Sequence, residues 1–198
     1  MKQNRTLVVG LTLVAFSVLS TLVGWLWTPY DPLEMNPDVS FARPSMSHLL
    51  GTDVFGRDVL SNIMIGARST LVVALVSVLI GVVLGSVVGV ATALAPAKAR
   101  QLSVFGIDIV LALPSVLFAI VLAAVYGAST LTATIAIGIA LSAAIAQVTR
   151  RETSQVLRSD YVAAAKVSGS GTGQIIRLHV LPNILPSLLV QASGAVAI

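Results

Sequence analysis

Long uncharged stretches alternate with short polar segments along this chain. No charged side chain occurs from Thr6 to Thr28 or from Ser69 to Ala97, and none lies between Asp108 and Arg150. Because an α-helix rises about 1.5 Å per residue, each of the first two stretches is long enough to cross a hydrocarbon core about 30 Å thick. The third would extend about 60 Å as one helix, so it must fold back, and residues 126–130 are the predicted reversal.

The pattern predicts an all-α fold, a polytopic transmembrane helical bundle with four complete spans and a partial fifth that begins at Leu181. Pro114 lies within the third span and predicts a kink there, because proline has no N–H to donate. We expect the first span to be a retained helix rather than a signal peptide. Its apolar run exceeds the usual length of about 7–15 residues and ends at Trp25 and Trp27, which are typical of a membrane interface.

The segment between the first two spans has a different composition. Four prolines and five acidic residues occur between Pro29 and Arg68, which predicts an aqueous, largely irregular segment. We therefore expect two domains. Residues 1–67 form an N-terminal transmembrane helix with an extracytoplasmic segment. Residues 68–198 form a transmembrane domain that includes a polar elbow at about residues 150–181.

Composition excludes an ordinary soluble domain. The 198 residues are 56% hydrophobic and 10% charged, and their mean hydropathy is +0.96, whereas about a quarter of the residues of a soluble domain are charged. The net charge is +4, but the basic residues form short clusters between apolar runs. This arrangement favours a membrane protein in contact with lipid over a nucleic-acid-binding protein.

Charge also predicts the orientation. Positive residues concentrate on the cytoplasmic side of membrane proteins. With the N-terminus in the cytoplasm, the inside segments hold nine basic residues: Lys2, Arg5, Lys98, Arg100, Arg150, Arg151, Arg158, Lys166 and Arg177. The outside segment holds Arg43, Arg57 and Arg68 against five acids. We therefore expect a multi-pass protein of the plasma (inner) membrane with a cytoplasmic N-terminus and a cytoplasmic elbow.

No catalytic or metal-binding motif is present in the sequence. A phosphate-binding loop requires a Gly-Lys pair followed by Ser or Thr, and no Gly-Lys pair occurs. The glycine-rich residues 169–173 are interpreted as a turn between two short helices. Cysteine is absent, and His48 and His179 lie far apart in sequence, so we expect no metal site and no enzyme activity in this chain.

Small residues favour close helix contacts in two places. Ser77, Gly81, Gly85 and Gly89 recur every four residues, which predicts a helix-packing face. In the elbow, Leu157, Tyr161 and Ala165 have the same spacing and predict a mild apolar stripe. That helix is expected to end at Gly169, and a second short helix at about 172–180 leads to Pro182 in the first turn of the next. The elbow either rests on lipid or contacts a partner protein.

The elbow resembles a motif of known transporters. Tyr161, Ala163, Ala164 and Ala165, then Gly169, Leu181 and Pro182, are similar to the "EAA" signature of inner-membrane permease subunits of ABC importers. The sequence departs from that signature at Ala163, where the family usually has Glu. The resemblance implies that this helix docks in a groove of an ATPase subunit and transmits its motion.

The polar segment carries a second resemblance. Residues 48–61, HLLGTDVFGRDVLS, are similar to the extracytoplasmic motif of "C-type" permeases of dipeptide, oligopeptide and nickel importers. The matching residues are Gly51, Thr52, Asp53, Gly56, Arg57 and Asp58.

The two resemblances together imply an ATP-driven importer of short peptides. This chain would pair with a homologous second permease, two cytoplasmic ABC ATPases and an extracytoplasmic substrate-binding protein. ATP and magnesium would be bound by the ATPases, and no cofactor by this chain. Nickel or metal-chelate import by the same fold is the alternative within the family, and a membrane scaffold or regulatory subunit is the alternative outside it. Family members have six spans, one more than the pattern here predicts.

The orientation is testable with single cysteines, since the chain has none of its own. We expect Ser45→Cys to react with a membrane-impermeant thiol reagent on intact cells, and Ser170→Cys to react only after the cells are opened. Equal labelling of the two variants in intact cells would contradict the orientation.

Overall fold

Helices form nearly all of the regular structure. The computed structural model describes residues 2–196, with side chains from residue 7 onward. Residues 1, 197 and 198, at the outer ends of the two predicted domains, lie outside this range, as do the side chains of Lys2 and Arg5. The helices are α1 (Lys2–Leu26), α2 (Val59–Leu94), α3 (Ala97–Ala112), α4 (Ser115–Tyr126), α5 (Thr130–Leu157), α6 (Asp160–Val167), α7 (Thr172–Ile175) and α8 (Leu181–Val196).

The chain divides into two compact units, residues 1–72 and 73–198, with the boundary inside α2. The first unit contains α1, the polar segment at residues 27–58, which we call the capped loop, and the start of α2. The second contains the rest of α2 and all later helices. Each unit has its own packing.

Four helical segments of the described chain are long and apolar enough to cross a membrane: Leu7–Leu26, Val59–Leu94, Thr130–Leu157 and Thr172–Val196. Their outer side chains are exposed and apolar; in α1, for example, Phe16 is 71% exposed. Such a surface is stable in lipid and costly in water. The chain is therefore a multi-pass membrane protein, as its apolar pattern predicts.

Close packing of α2 on α5 organises the second unit. A Cβ at Gly85 would lie 2.6 Å from the Ser142 carbonyl oxygen, and one at Gly89 would lie 2.6 Å from Thr149 Cβ. Gly81 lies in the same way against Leu141. The Ser77 hydroxyl donates a 2.9 Å hydrogen bond to the Thr134 carbonyl. Glycine thus brings the two backbones into direct contact, which is how helices associate closely in lipid.

The register of this contact shows that α2 and α5 run parallel. Ser77 contacts Thr134, Gly85 meets Ser142, and Gly89 meets Thr149, so the numbering rises together on both helices. If only a loop on one side of the membrane connected these two spans, they would be antiparallel. The segment between them, α3 and α4, must therefore carry the chain back across the membrane. It is the third span, and α5 is the fourth.

This third span is broken rather than kinked. The axes of α3 and α4 differ by 90°, with the break at Leu113 and Pro114. Leu113 has an extended backbone (φ −91°, ψ 130°), as expected for a residue that precedes proline. The predicted reversal at residues 126–130 is found: α4 ends at Tyr126, Gly127 has a φ of +89°, and Ser129 caps α5 by accepting from the Thr132 N–H.

Two predicted boundaries are wrong. Helix α2 begins at Val59, ten residues before the predicted Ser69, because Asp58 caps it. The predicted helix break before Pro182 is also absent, and one helical segment continues from Thr172 to Val196. A π-helical turn at Ile176–Val180, with the Leu181 N–H bonded to the Ile176 carbonyl, precedes the proline. This wider turn lets the helix continue past a residue that would otherwise clash with it.

Gly85→Ala should destabilise the second unit. The added methyl would collide with a backbone carbonyl that cannot move aside, and overpacking of this kind costs about 1–3 kcal/mol. The matched control is Gly106→Ala, since Gly106 is also helical but a Cβ added there would meet no other atom within 4 Å. We expect thermal unfolding in detergent to occur at a lower temperature for Gly85→Ala and at an equal or higher one for Gly106→Ala. Equal unfolding temperatures for Gly85→Ala and the wild type would show that α2 and α5 can move apart without loss of stability.

Candidate functional site: the capped loop and the elbow

Asp58 is the centre of a buried hydrogen-bond network in the first unit. It is 3% exposed. One carboxylate oxygen accepts from both the backbone N–H and the hydroxyl of Ser61, each at 2.8 Å. The other oxygen lies 3.0 Å from His48 Nδ1. The bond to the Ser61 N–H is an N-cap of α2, so Asp58 sets the point at which the helix begins.

The same network holds the end of the first span. Ser61 Oγ accepts a 3.1 Å hydrogen bond from the Tyr30 N–H. The Tyr30 hydroxyl donates to the Ser47 carbonyl at 2.6 Å, and the ring of Tyr30 stacks on that of His48 with centroids 4.6 Å apart. Asp58 therefore links the chain leaving α1 to the chain entering α2.

Asp53 and Arg57 close a tight turn next to Asp58. The carboxylate of Asp53 accepts from the backbone N–H groups of Phe55 and Arg57 at 2.8 and 2.9 Å. Its second oxygen accepts from Nε and Nη2 of the Arg57 side chain, both at 2.8 Å. Two nitrogens of one guanidinium thus donate to a single carboxylate oxygen, which the one nitrogen of a lysine side chain could not do. The turn needs Gly56, whose φ is +73° and whose Cβ would run into the Asn36 carbonyl.

Gly51 and Thr52 fix the other side of the loop. Gly51 has a φ of +77° and lies against the Ala42 carbonyl, where a side chain has no room. The Thr52 hydroxyl donates to the Val39 carbonyl and accepts from the Ala42 N–H. All six residues of the predicted extracytoplasmic motif therefore lie together, and each one holds the loop in shape.

The two motif carboxylates ionise more readily than usual. Desolvation raises the pKa of Asp58, but hydrogen bonds from the Ser61 N–H, the Ser61 hydroxyl and His48 outweigh it, so the pKa lies below its ordinary value of 3.8. Desolvation likewise raises the pKa of Asp53, and hydrogen bonds from the backbone of Arg57 and Phe55 and from the Arg57 guanidinium lower it further than burial raises it.

The cavity at the loop is smaller than an ordinary small-molecule site. A cavity of about 110 Å³ lies between Tyr30, Asp31, Glu34 and Asp58, whereas small-molecule sites usually measure about 300–1,000 Å³. Within the described residues, no group of three or more His, Cys, Asp or Glu side chains is placed to hold a metal ion. The polar side chains of the motif bond instead to the loop itself.

Helix α6 of the elbow is anchored to the spanning helices through its buried residue, Val162. Val162 in α6 is fully buried, and it packs in a cluster with Ile145 of α5, Ile175 of α7 and Ile184 of α8. The predicted stripe is therefore only partly right: Leu157 packs against this cluster, but Tyr161 is 47% exposed and Ala165 half-buried. The inward residue is Val162, one position from the predicted one.

Gly169 ends α6 in a Schellman motif. The Gly169 N–H bonds to the Lys166 carbonyl at 3.0 Å, and the Ser170 N–H bonds to the Ala165 carbonyl at 3.0 Å. Gly169 has a φ of +85°, the left-handed conformation that this cap requires and that a β-branched residue resists. The turn predicted at Gly169 is thus found with its physical cause.

The other predicted elbow residues lie on the outside. Ala163 and Ala164 are exposed, as are Leu181 and Pro182. The ring of Tyr161 lies 5.7 Å from that of His179, which connects α6 to the π-helical turn. This contact was not predicted, because the predicted turn at residues 169–173 does not by itself give the angle between the two helices that it joins. The elbow thus presents small, exposed side chains on a helix that is fixed from beneath.

Comparison with known proteins places these two features in one family. A family model described as "Binding-protein-dependent transport system inner membrane component" matches residues 81–197. The di/tripeptide transport system permease protein of Pseudomonas aeruginosa is 36% identical over 96% of this chain and 65% of its own length. The dipeptide transport system permease protein of Escherichia coli is 36% identical over 97% and 66%. A putative peptide permease protein of Brucella abortus is 31% identical over 98% and 65%. The chain therefore spans about two thirds of the length of these relatives.

Loss of the Asp58 charge should loosen the loop. Because its pKa is lowered by folding, Asp58 stabilises the loop above about pH 4 and ceases to do so as the pH falls through the lowered value. We expect Asp58→Asn to cost about 2 kcal/mol of local stability at pH 7, as for a hydrogen bond to a charged group. Hydrogen exchange of residues 48–61 should rise accordingly, and its further rise below pH 4, once intrinsic rates are corrected, should be smaller than in the wild type, with Asp53 responsible for the part that remains.

The control for this variant is Asp38→Asn. Asp38 is exposed, and its carboxylate accepts no hydrogen bond in the described structure. Exchange in residues 48–61 should not change in that variant. If Asp58→Asn left the exchange of these residues as slow as in the wild type, the network would not be what holds the loop.

Proposed function

We propose that this chain, which belongs to the family of binding-protein-dependent transport system inner membrane components, is a permease subunit of an ATP-driven importer of short peptides. Its similarity to proteins named as dipeptide and di/tripeptide permeases supports peptides as the substrate class. No observation favours nickel import or a scaffold without transport. A second permease would complete the pathway through the membrane.

The observation that carries this proposal is the construction of the elbow. Helix α6 lies between two spanning segments, and Val162 joins it to both α5 and α8. A force on the exposed face of α6 would therefore be transmitted through Val162 to those two helices. The small side chains of Ala163 and Ala164 leave that face open to close approach by another protein. An ATPase subunit docked there would move α5 and α8 when it closes on ATP.

The remaining partners follow from the same proposal. Two ABC ATPases on the cytoplasmic side would bind ATP and magnesium, so the chain itself would hydrolyse nothing and need no cofactor. An extracytoplasmic substrate-binding protein would deliver the peptide on the opposite side of the membrane, to which the distribution of charge would assign the capped loop. This arrangement requires the N-terminus and the elbow to be cytoplasmic, in agreement with the distribution of basic residues.

Peptide uptake by vesicles containing the full complex tests the proposal. Gly169→Val should distort the Schellman cap at a cost of about 1–2 kcal/mol, because valine resists a positive φ. Gly169→Asn is the matched control: it adds similar bulk, but asparagine tolerates this conformation. We expect uptake and ATPase copurification to fall markedly with valine and to fall little with asparagine.

Bulk at the docking face gives an independent arm of the test. Ala164→Trp should obstruct the partner and lower both uptake and ATPase copurification, whereas Ala164→Ser should preserve both. All of these variants should insert normally, since none lies in a spanning segment. If Ala164→Trp and Gly169→Val were inserted and transported peptide at the wild-type rate, the elbow would not couple to an ATPase. If the wild-type complex took up no peptide, the substrate class would be wrong.

A further inference from the structure

A basic cavity lies at the end of α5, and no residue of α6 lines it. It has a volume of about 390 Å³ and is lined by Arg100, Arg150, Arg151, Ser154, Gln155 and Arg158, which we call the arginine cavity. Every lining side chain can donate a hydrogen bond, and four of the six carry a permanent positive charge. The proposed coupling through α6 uses none of these residues.

Helix geometry explains why these side chains converge. Arg151, Ser154, Gln155 and Arg158 follow the spacing i, i+3, i+4 and i+7, so they form one polar stripe along the last two turns of α5 and its cap. Helix α3 packs against α5, and the buried Ile107 fixes that contact in a cluster with Ala143 and Ala146 of α5. This packing brings Arg100, in the first turn of α3, to the same cavity.

The positive charge in the cavity is not balanced by the protein. In the part of the chain that the structure describes, the ion pairs are His48 with Asp58 and Arg57 with Asp53, both in the loop. The acid nearest in sequence, Glu152, lines a different depression, with Tyr161 and Asn183. Four arginines without a carboxylate repel one another, so a bound anion would relieve a repulsion as well as form hydrogen bonds.

The depth of the cavity selects the anion. Residues 130–149 of α5 carry no charge and span about 30 Å, the thickness of the hydrocarbon core. Arg150 is therefore the first charged residue beyond the core, at the level of lipid headgroups. Arg100 arrives at the same level, because α3 starts just after α2 ends, and Gly89 of α2 lies against Thr149. Leu102 and Phe105, exposed on α3, continue from there towards the hydrocarbon.

We propose that the arginine cavity binds the phosphate of an anionic phospholipid headgroup. Arginine pairs with phosphate oxygens in a bidentate manner, and Ser154 and Gln155 supply neutral donors beside it. A headgroup that carries no cation leaves the phosphate available to all four guanidinium groups, so phosphatidylglycerol should bind better than phosphatidylcholine, whose choline cation competes for that phosphate. A lipid at this position would join the first turn of α3 to the last turns of α5, next to the elbow.

Native mass spectrometry of the full chain in neutral detergent measures this binding. We expect phosphatidylglycerol to bind more tightly than phosphatidylcholine with the same acyl chains. The double variant R151Q/R158Q should weaken phosphatidylglycerol binding about 30-fold, at the usual contribution of two basic residues near an anionic lipid. Arg177→Gln is the control for removal of a positive charge outside the cavity: it takes one charge from an exposed residue that does not line the cavity, as Arg158→Gln takes one from a residue that does, and it should leave binding unchanged.

Further arms separate the other sources of phosphate and the effects of folding. The variant R151K/R158K should bind more weakly than the wild type but better than R151Q/R158Q, because lysine keeps the charge and loses the bidentate geometry. Arg158→Gln alone, at the exposed cap of α5, should weaken binding less than the double variant, and it serves if that variant does not fold. Equal affinity for the two lipids, or R151Q/R158Q binding like the wild type, would overturn the proposal. Complete displacement of the lipid by inorganic phosphate would identify a site for free phosphate instead. None of these measurements depends on transport.

Discussion

Backbone contact between α2 and α5 is the constraint on which the second unit depends. Lipid provides no hydrophobic drive for two helices to associate, so their attraction must come from close packing and hydrogen bonds. Gly81, Gly85 and Gly89 supply the packing, and the bond from Ser77 to the Thr134 carbonyl fixes the register. Since that register makes the helices parallel, it requires the intervening chain to recross the membrane. The broken pair α3 and α4 meets this requirement with a proline at the bend.

The end of α5 is where the consequences of this packing meet. The contact between α2 and α5 fixes the level at which α5 leaves the hydrocarbon, and Arg150 lies at that level. Beyond it, one face of α5 lines the arginine cavity, while Val156 and Leu157 pack against the cluster around Val162. A short extension of one spanning helix thus supports both the proposed lipid site and the proposed coupling elbow. A movement of α6 would therefore be transmitted to both sites.

Most of the fold was predictable because apolar runs and turn residues act locally. Run length gives the spans, and the reversal at residues 126–130 and the cap at Gly169 follow from glycine and polar residues at the correct positions. The errors arise where distant parts of the chain interact. The start of α2 depends on Asp58, whose network joins Tyr30, His48 and Ser61 across more than thirty residues. The buried position of Val162 depends on α8, which no periodicity within α6 reveals.

The side chains of the loop motif point into the chain and bond to it, whereas most of those of the elbow motif are exposed. This difference decides how much stability a substitution in each motif removes. In the loop, the motif residues bond to the loop itself, so a substitution there would unfold it locally. In the elbow Gly169 has such a role and Tyr161 contacts His179, while Ala163 and Ala164 are exposed. The glutamate usually found at the position of Ala163 would therefore lie on the exposed face of α6. Its absence removes no internal contact of α6. In the proposed complex, docking would then rest on the close approach that the alanines permit, and on the charges of Asp160 and Lys166 at the two ends of the helix.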